Sequence, residues 1–87
     1  MNNRLNIEDL TVIDYKVDKY HIYHVFFLDD EDNRHRYFLS GGEFEKWCFT
    51  HLQKMVIDLD KETVLKILED YKTNFHFTLQ IEMLYPR

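Results

Sequence analysis

Residues 20–39 of this chain read YHIYHVFFLDDEDNRHRYFL and consist of two aromatic-rich runs separated by an acidic segment. Aromatic and β-branched residues favour extended strands, whereas Asp and Asn favour turns. The stretch therefore predicts a β-hairpin whose connecting segment, residues 29–33, carries four carboxylates at an exposed end. We call residues 29–33 the acidic tip, and its acidic members are Asp29, Asp30, Glu31 and Asp32.

Extended structure is also predicted on both sides of this hairpin. Residues 10–17 contain the strand-favouring Val12, Ile13, Tyr15 and Val17, and Asp18-Lys19 then reads as a tight turn. Near the C-terminus, residues 75–84 alternate between apolar and mostly polar side chains, the period of a half-buried strand.

Two helices are predicted between these strands. Ser40 followed three residues later by Glu43 is a capping box, and Gly41-Gly42 fits the bend from strand to helix. Apolar residues then recur at helical spacing to about residue 57: Phe44, Trp47, Cys48, Leu52, Met55 and Val56. A second helix over residues 61–72, capped by Asp58 or Asp60, has an apolar face of Val64, Leu65, Leu68 and Tyr71.

The order β-β-β-α-α-β predicts an α+β fold, a mostly antiparallel sheet with two helices packed on one face. Eighty-seven residues are expected to form a single domain, residues 1–87. With no apolar run near 18 residues and no leader sequence, we expect a cytoplasmic protein without membrane contact. The single cysteine excludes an internal disulfide framework and a cysteine-based zinc site.

Strand parity predicts more apolar surface than two short helices can cover. In the first three strands, one parity holds Leu10, Val12, Ile22, Phe26, Leu28, Tyr37 and Leu39, and the other holds Ile13, Tyr15, Val17, Tyr23, Val25, Phe27 and Phe38. The uncovered side is explained by a strongly curled sheet, by residues 1–9 folding over it, or by an interface with a partner or a second copy.

Residues that could perform chemistry do not form a recognisable site. His21 and His24 point to opposite faces of a strand, so they cannot chelate one metal together. Cys48 and His51 lie one helical turn apart, but Cys48 is on the apolar stripe, where a buried thiol is expected. We therefore predict no enzymatic activity, no metal and no cofactor.

Arg34-His35-Arg36-Tyr37 interleaves positive charge with aromatic rings, as single-strand nucleic-acid binders do. The neighbouring acids would largely cancel its field, so the favoured interpretation is local pairing of Arg34 with Asp32 or Glu31. Direct nucleic-acid binding is accordingly not expected, and an RNA- or DNA-binding module that uses Arg34, Arg36 and Tyr37 ranks third among the hypotheses for function.

The net charge of -5 is concentrated in residues 1–33, which carry eight acids and three bases. Such a surface attracts basic protein surfaces and repels nucleic acid. The leading hypothesis is a small inhibitor whose four tip acids contact a larger basic protein, with Tyr15, Tyr23 and Phe27 as apolar anchors. If the chain is a phage-encoded anti-CRISPR or anti-restriction inhibitor, the partner would be a nucleic-acid enzyme. If it is a toxin's immunity protein, the partner would be the toxin. The alternative is a homodimeric structural or regulatory module.

Overall fold

Four antiparallel strands in the order β1-β2-β3-β4 form a single sheet, with two helices inserted between the third and fourth strands. The computed structural model describes residues 7–75 and, for the backbone alone, residues 82–83. The strands are β1 (Thr11–Val17), β2 (Ile22–Leu28), β3 (Arg34–Ser40) and β4 (Glu82–Met83), and the helices are α1 (Gly41–Leu52) and α2 (Lys61–Tyr71). Short 3₁₀ turns occupy Ile7–Asp9, Val56–Asp58 and Lys72–Asn74. The predicted α+β fold is confirmed.

The last strand is only partly within the described residues. Of the predicted strand over residues 75–84, residues 76–81 and 84 lie outside them. Phe75 is buried in the core, and Glu82–Met83 pairs antiparallel with Arg36 and His35 of β3. Because β4 joins β3 directly, the four strands follow one another in the sheet in the order of the chain.

Strand register divides the aromatic residues differently from the sequence prediction. Tyr23, Val25 and Phe27 of β2 stand opposite Leu39, Tyr37 and His35 of β3, and all six side chains lie on the inner face. The predicted grouping of Tyr37 and Leu39 with Phe26 is therefore wrong, as is that of Phe38 with Phe27. The reason is that parity within one strand does not fix its register against a neighbour.

A β-bulge in β1 places two residues of opposite parity on the same face. Val12 pairs with Phe27 and Tyr15 pairs with Val25, and the register shifts between them at Ile13. The extra residue of a bulge reverses the alternation of everything that follows it. Val12 and Tyr15 consequently both pack against the core.

Helix α2 fastens this bulged edge strand at two points. The Glu69 carboxylate accepts a hydrogen bond from the Val12 backbone N–H at 2.9 Å, and Lys61 Nζ lies 2.7 Å from Asp14 Oδ1. The buried Lys72 donates to the Leu10 carbonyl and lies 2.5 Å from Glu69 Oε2. These contacts satisfy polar groups at the sheet edge and fix α2 against β1.

The core lies between the inner face of the sheet and the two helices. Its most deeply buried apolar side chains come from the residue before β1, from β2 and from the two helices: Leu10, Val25, Phe27, Phe44, Cys48, Val64 and Leu68. Edge-to-face ring contacts join the layers, including Tyr23 to Phe44 at 5.3 Å and Phe27 to Phe75 at 5.8 Å. A few large rings thus close the core of a short chain.

Helix α1 begins as predicted but ends earlier. Ser40 Oγ accepts a hydrogen bond from the Glu43 N–H, which confirms Ser40 as the N-cap. The predicted end near residue 57 is wrong, because Gln53 adopts a left-handed conformation (φ 56°) and its N–H closes the helix on Phe49 O. Leu52 and Met55, expected in the core, are exposed. Asp60 caps α2, one of the two caps predicted for it.

Gly41 is required by a close approach of backbone to backbone. Its N–H donates to the His21 carbonyl at 3.1 Å, which joins the start of α1 to the β1–β2 turn. A Cβ atom at this position would lie 2.4 Å from the same carbonyl oxygen. At Gly42 a Cβ would meet no atom within 4 Å.

We expect Gly41→Ala to lower the free energy of unfolding by about 2 kcal/mol, because a backbone atom must move to admit the methyl group. Gly42→Ala is the matched control and should be neutral or stabilising by up to about 1 kcal/mol, since Ala is the better helix former. Urea denaturation of the two variants measures the difference. Equal stability of the two would contradict the close contact.

Candidate functional site

The acidic tip is a structured turn organised by the side chain of Asp29. Asp29 Oδ1 accepts hydrogen bonds from the backbone N–H groups of Glu31 and Asn33, both at 2.8 Å. The Asp29 main chain also bonds to Asn33 and Asp32, and Asp32 takes the left-handed conformation with φ 67°. The side chain and main chain of Asp29 thus accept the backbone N–H groups of Glu31, Asp32 and Asn33 and fix the shape of the loop.

His35 holds this carboxylate from the inner face of β3. Its Nε2 donates to Asp29 Oδ2 at 2.9 Å, and its side chain is only 1% exposed. Burial alone would raise the pKa of Asp29, but the hydrogen bonds from His35 and from the backbone of Asn33 and Glu31 outweigh it and lower the pKa to about 2. Asp29 is thus a carboxylate that builds the turn, and its role as a partner contact stays a prediction.

The same arrangement occurs in the turn between β1 and β2. Asp18 Oδ1 accepts from the N–H groups of Tyr20 and Ile22, and Asp18 Oδ2 lies 2.8 Å from His24 Nε2. His21, three residues after the aspartate, is the left-handed residue with φ 64°. These hydrogen bonds, chiefly the one from His24, hold the pKa of Asp18 below its usual range.

We call this arrangement the Asp–His staple. In both turns the histidine follows the aspartate by six residues: Asp18 and His24, Asp29 and His35. Both hairpin turns carry this spacing, and the sequence analysis missed it because the tip was interpreted by charge alone.

The remaining acids of the tip are displayed outward. Asp30, Glu31 and Asp32 are exposed, and no cation of the described residues lies within ion-pair distance of their carboxylates. Thr11 pairs with Leu28, which brings the 3₁₀ turn Ile7–Asp9 to the same end of the sheet. The exposed Glu8 and Asp9 add two carboxylates there, a contribution that the sequence prediction did not include.

The predicted aromatic anchors are not on this surface. Tyr23 is 2% exposed and Phe27 is fully buried, so their prediction as partner contacts is wrong: both are core residues on the inner face of β2. Tyr15 is half-buried and stacks on Tyr23 with ring centroids 5.7 Å apart. The structure therefore separates the tip acids from the three aromatic residues that were predicted to act with them.

Tyr23 and Glu45 form a polar contact between the sheet and α1. The Tyr23 hydroxyl donates to Glu45 Oε2 at 2.8 Å, and His21 Nε2 lies 3.1 Å from Glu45 Oε1. Burial, reinforced by this carboxylate, raises the pKa of Tyr23 well above its ordinary value. The hydroxyl stays protonated and serves as a hydrogen-bond donor.

Cys48 and His51 do not form a nucleophile and its base. Burial raises the pKa of the Cys48 thiol to about 11, so it is protonated at neutral pH. His51 instead donates from Nδ1 to the Trp47 carbonyl at 3.1 Å and stacks on the Trp47 ring. The described residues contain no group of three or more potential ligands that could hold a metal ion. Every helix within them is too short or too polar to cross a membrane.

A scan against protein-family models finds no match to the chain, and searches of curated proteins and of solved structures find none either. What the molecule does must therefore be argued from its own surfaces.

We expect Asp29→Asn to lower the free energy of unfolding at pH 7 by about 2 kcal/mol, because the charged hydrogen bond to His35 is lost. In the unmodified chain, the folded pKa of about 2 lies below the unfolded value of about 3.9, so this stabilisation is present above pH 4 and is lost as the pH falls towards 2. Urea denaturation at several pH values should show a flatter acid limb for the variant.

Asp30→Asn is the matched control, because it removes one charge from the same turn at an exposed position. Its unfolding free energy should change by less than about 0.5 kcal/mol. If both variants lose the same stability, the staple does not organise the turn.

Proposed function

We propose that this chain is a non-enzymatic protein-binding inhibitor, which places Asp30, Glu31 and Asp32 on a basic, nucleic-acid-binding surface of a larger protein. The observation that carries the proposal is the display of three unpaired carboxylates on a turn whose own hydrogen bonds are already satisfied. Such a loop has no internal use for these charges, which leaves them available to an external cation.

The mechanism is electrostatic. Carboxylates at the tip occupy positions that phosphates would take against Arg and Lys side chains and so block access of nucleic acid. Asp9 at the same end of the sheet extends the negative field beyond the loop. Complementary charge accelerates encounter and fixes orientation, and both effects weaken as salt rises.

Rigidity of the tip contributes to affinity. A flexible loop would lose conformational entropy when it binds, whereas the Asp29–His35 staple has already fixed the backbone of this one. With Tyr23 and Phe27 in the core, the interface lacks the aromatic anchors expected from the sequence. We therefore expect an affinity that depends strongly on ionic strength.

Two observations support a non-catalytic role. The thiol of Cys48 is buried with a raised pKa, and Asp30, Glu31 and Asp32 lie on an exposed turn. A phage-encoded anti-CRISPR or anti-restriction inhibitor and a toxin immunity protein are specific forms that this chemistry would suit.

We expect the triple variant Asp30→Asn, Glu31→Gln, Asp32→Asn to lose partner binding and most of its salt dependence. Tagged protein would be used to capture partners from host lysate at low and high salt, and the captured protein would then be purified for titration. Loss of three charge contacts should weaken binding at least tenfold, about 1.4 kcal/mol.

The control is Asp58→Asn, Glu62→Gln, Asp70→Asn, which removes three exposed acids elsewhere and leaves the same net charge. It should bind nearly as the unmodified chain does. Equal weakening by the two triple variants would assign the effect to overall charge and remove the role proposed for the tip.

A further inference from the structure

The sheet face opposite the helices combines arginine and phenylalanine side chains. Its members alternate with the core residues along β2 and β3, and we call this surface the open face: Ile22, His24, Phe26, Leu28, Arg34, Arg36 and Phe38. Lys16 of β1 stands opposite His24 and adds a third basic residue. The sequence predicted an uncovered apolar and aromatic surface, whereas the open face combines basic, aromatic and aliphatic side chains.

The two arginines lie over the phenylalanine rings. The guanidinium carbon of Arg34 is 5.7 Å from the ring centroid of Phe26, and that of Arg36 is 5.9 Å from Phe26 and 5.1 Å from Phe38. These are cation–π distances. The rings hold the guanidinium groups against the sheet and reduce the entropy that they would lose on binding a ligand.

Neither arginine has an ion-pair partner among the described residues. The predicted pairing of Arg34 with Asp32 or Glu31 is wrong, since β3 carries Arg34 onto the open face instead. Arg36 Nε is buried and lacks a hydrogen-bond acceptor in the same part of the chain. Unpaired arginines are unexpected in a chain with sixteen acids and eleven lysines and arginines, so the open face is a ready site for an anion.

Three acids stand on or beside the open face: Glu82 of β4 is paired opposite Arg36, and the other two are bound by basic groups. Asp14, opposite Phe26, forms an ion pair with Lys61 at 2.7 Å, and Asp18 is bound by His24. His24 belongs to both the staple and the open face, and its ring contacts the Phe38 ring edge-on at 4.9 Å. Arg34, Arg36 and Lys16 therefore face a surface on which Asp14 and Asp18 are already bound by basic groups.

We propose that the open face binds single-stranded nucleic acid, with Phe38 contacting a base and with Arg34, Arg36 and Lys16 contacting phosphates. Phe38 is 49% exposed, which leaves ring surface on which a base can stack. Single strands supply the two groups that this face complements, a flat base and an anionic phosphate, whereas an acidic peptide supplies only the anion. A second copy is disfavoured because face-to-face packing would bring like charges together.

The inference goes beyond the proposed function and uses different residues. The tip acids oppose nucleic-acid binding, since Asp30, Glu31 and Asp32 repel phosphates near the first residue of β3, Arg34. The two activities therefore respond in opposite directions to one change: neutralising the tip should weaken binding of a basic protein and strengthen binding of a single strand. Failure of either proposal can be recognised without reference to the other.

The test is fluorescence anisotropy with a labelled oligothymidylate of about 15 nucleotides, long enough to cover one small binding surface. Binding through three phosphate contacts predicts a slope of about -2 for the logarithm of the association constant against the logarithm of salt concentration. Affinity should therefore fall about 20-fold between 50 and 200 mM salt. The tip triple variant should bind more tightly than the unmodified chain.

Arg34→Gln with Arg36→Gln should weaken binding at least tenfold and reduce the slope by more than half. The control, Lys46→Gln with Lys54→Gln, removes two exposed charges outside the open face and should stay within about twofold. Phe38→Leu keeps an apolar side chain but no ring, and should weaken binding several-fold with the slope unchanged. Thermal denaturation shows whether each variant is folded. If the double arginine variant is not folded, the binding of Phe38→Leu tests the proposal.

Three results would overturn the proposal. The first is no binding of the oligonucleotide at low salt, and the second is equal weakening by the arginine and lysine variants. The third is a preference for another occupant. Tighter binding of a polyglutamate peptide would assign the open face to an acidic polypeptide, and a dimer in sedimentation that the arginine variant abolishes would assign it to a second copy.

Discussion

The hydrogen bond between a histidine and an aspartate six residues earlier is the interaction on which both hairpins depend. Asp18 with His24 and Asp29 with His35 close the turns at opposite ends of β2, and each aspartate also accepts two backbone N–H groups of its own turn. Loops of this kind must otherwise leave several donors to water or to chance partners. In each turn one side chain accepts two of these donors, and a histidine of the sheet is hydrogen-bonded to that side chain and holds it in place.

The staple also explains how charge is distributed over the molecule. Because Asp29 is used to build the turn, only Asp30, Glu31 and Asp32 project from it. The residue that follows, Arg34, begins β3 and turns onto the open face, where it joins Arg36 over the Phe26 ring. A negative end and a positive face thus lie within a few residues of each other, and the rigid turn keeps their charges from neutralising one another.

Much of the fold could be predicted because it follows from local patterns. The first three strands, the N-caps Ser40 and Asp60 and the apolar stripe of α2 come from alternation, helical spacing and capping, which act between near neighbours. The end of α1 could not be predicted, since the left-handed Gln53 interrupts a pattern that continues past it. The candidate site was predicted in part. The sequence predicted the tip and its exposed acids, but it did not predict the separate role of Asp29.

The sequence by itself determined the kinds and order of the elements, the hairpin and the concentration of acids at its turn, because these depend on residues close together in the chain. Only the tertiary structure decided which surface each side chain occupies. Pairing of β2 with β3 buried Tyr23 and Phe27, and the bulge in β1 brought Val12 and Tyr15 to the same face. Register and bulges are set by contacts between strands, and a shift of one residue exchanges core for surface. Because Tyr23 and Phe27 are buried, the acidic tip is a rigid turn that presents three carboxylates without the aromatic contacts predicted from the sequence.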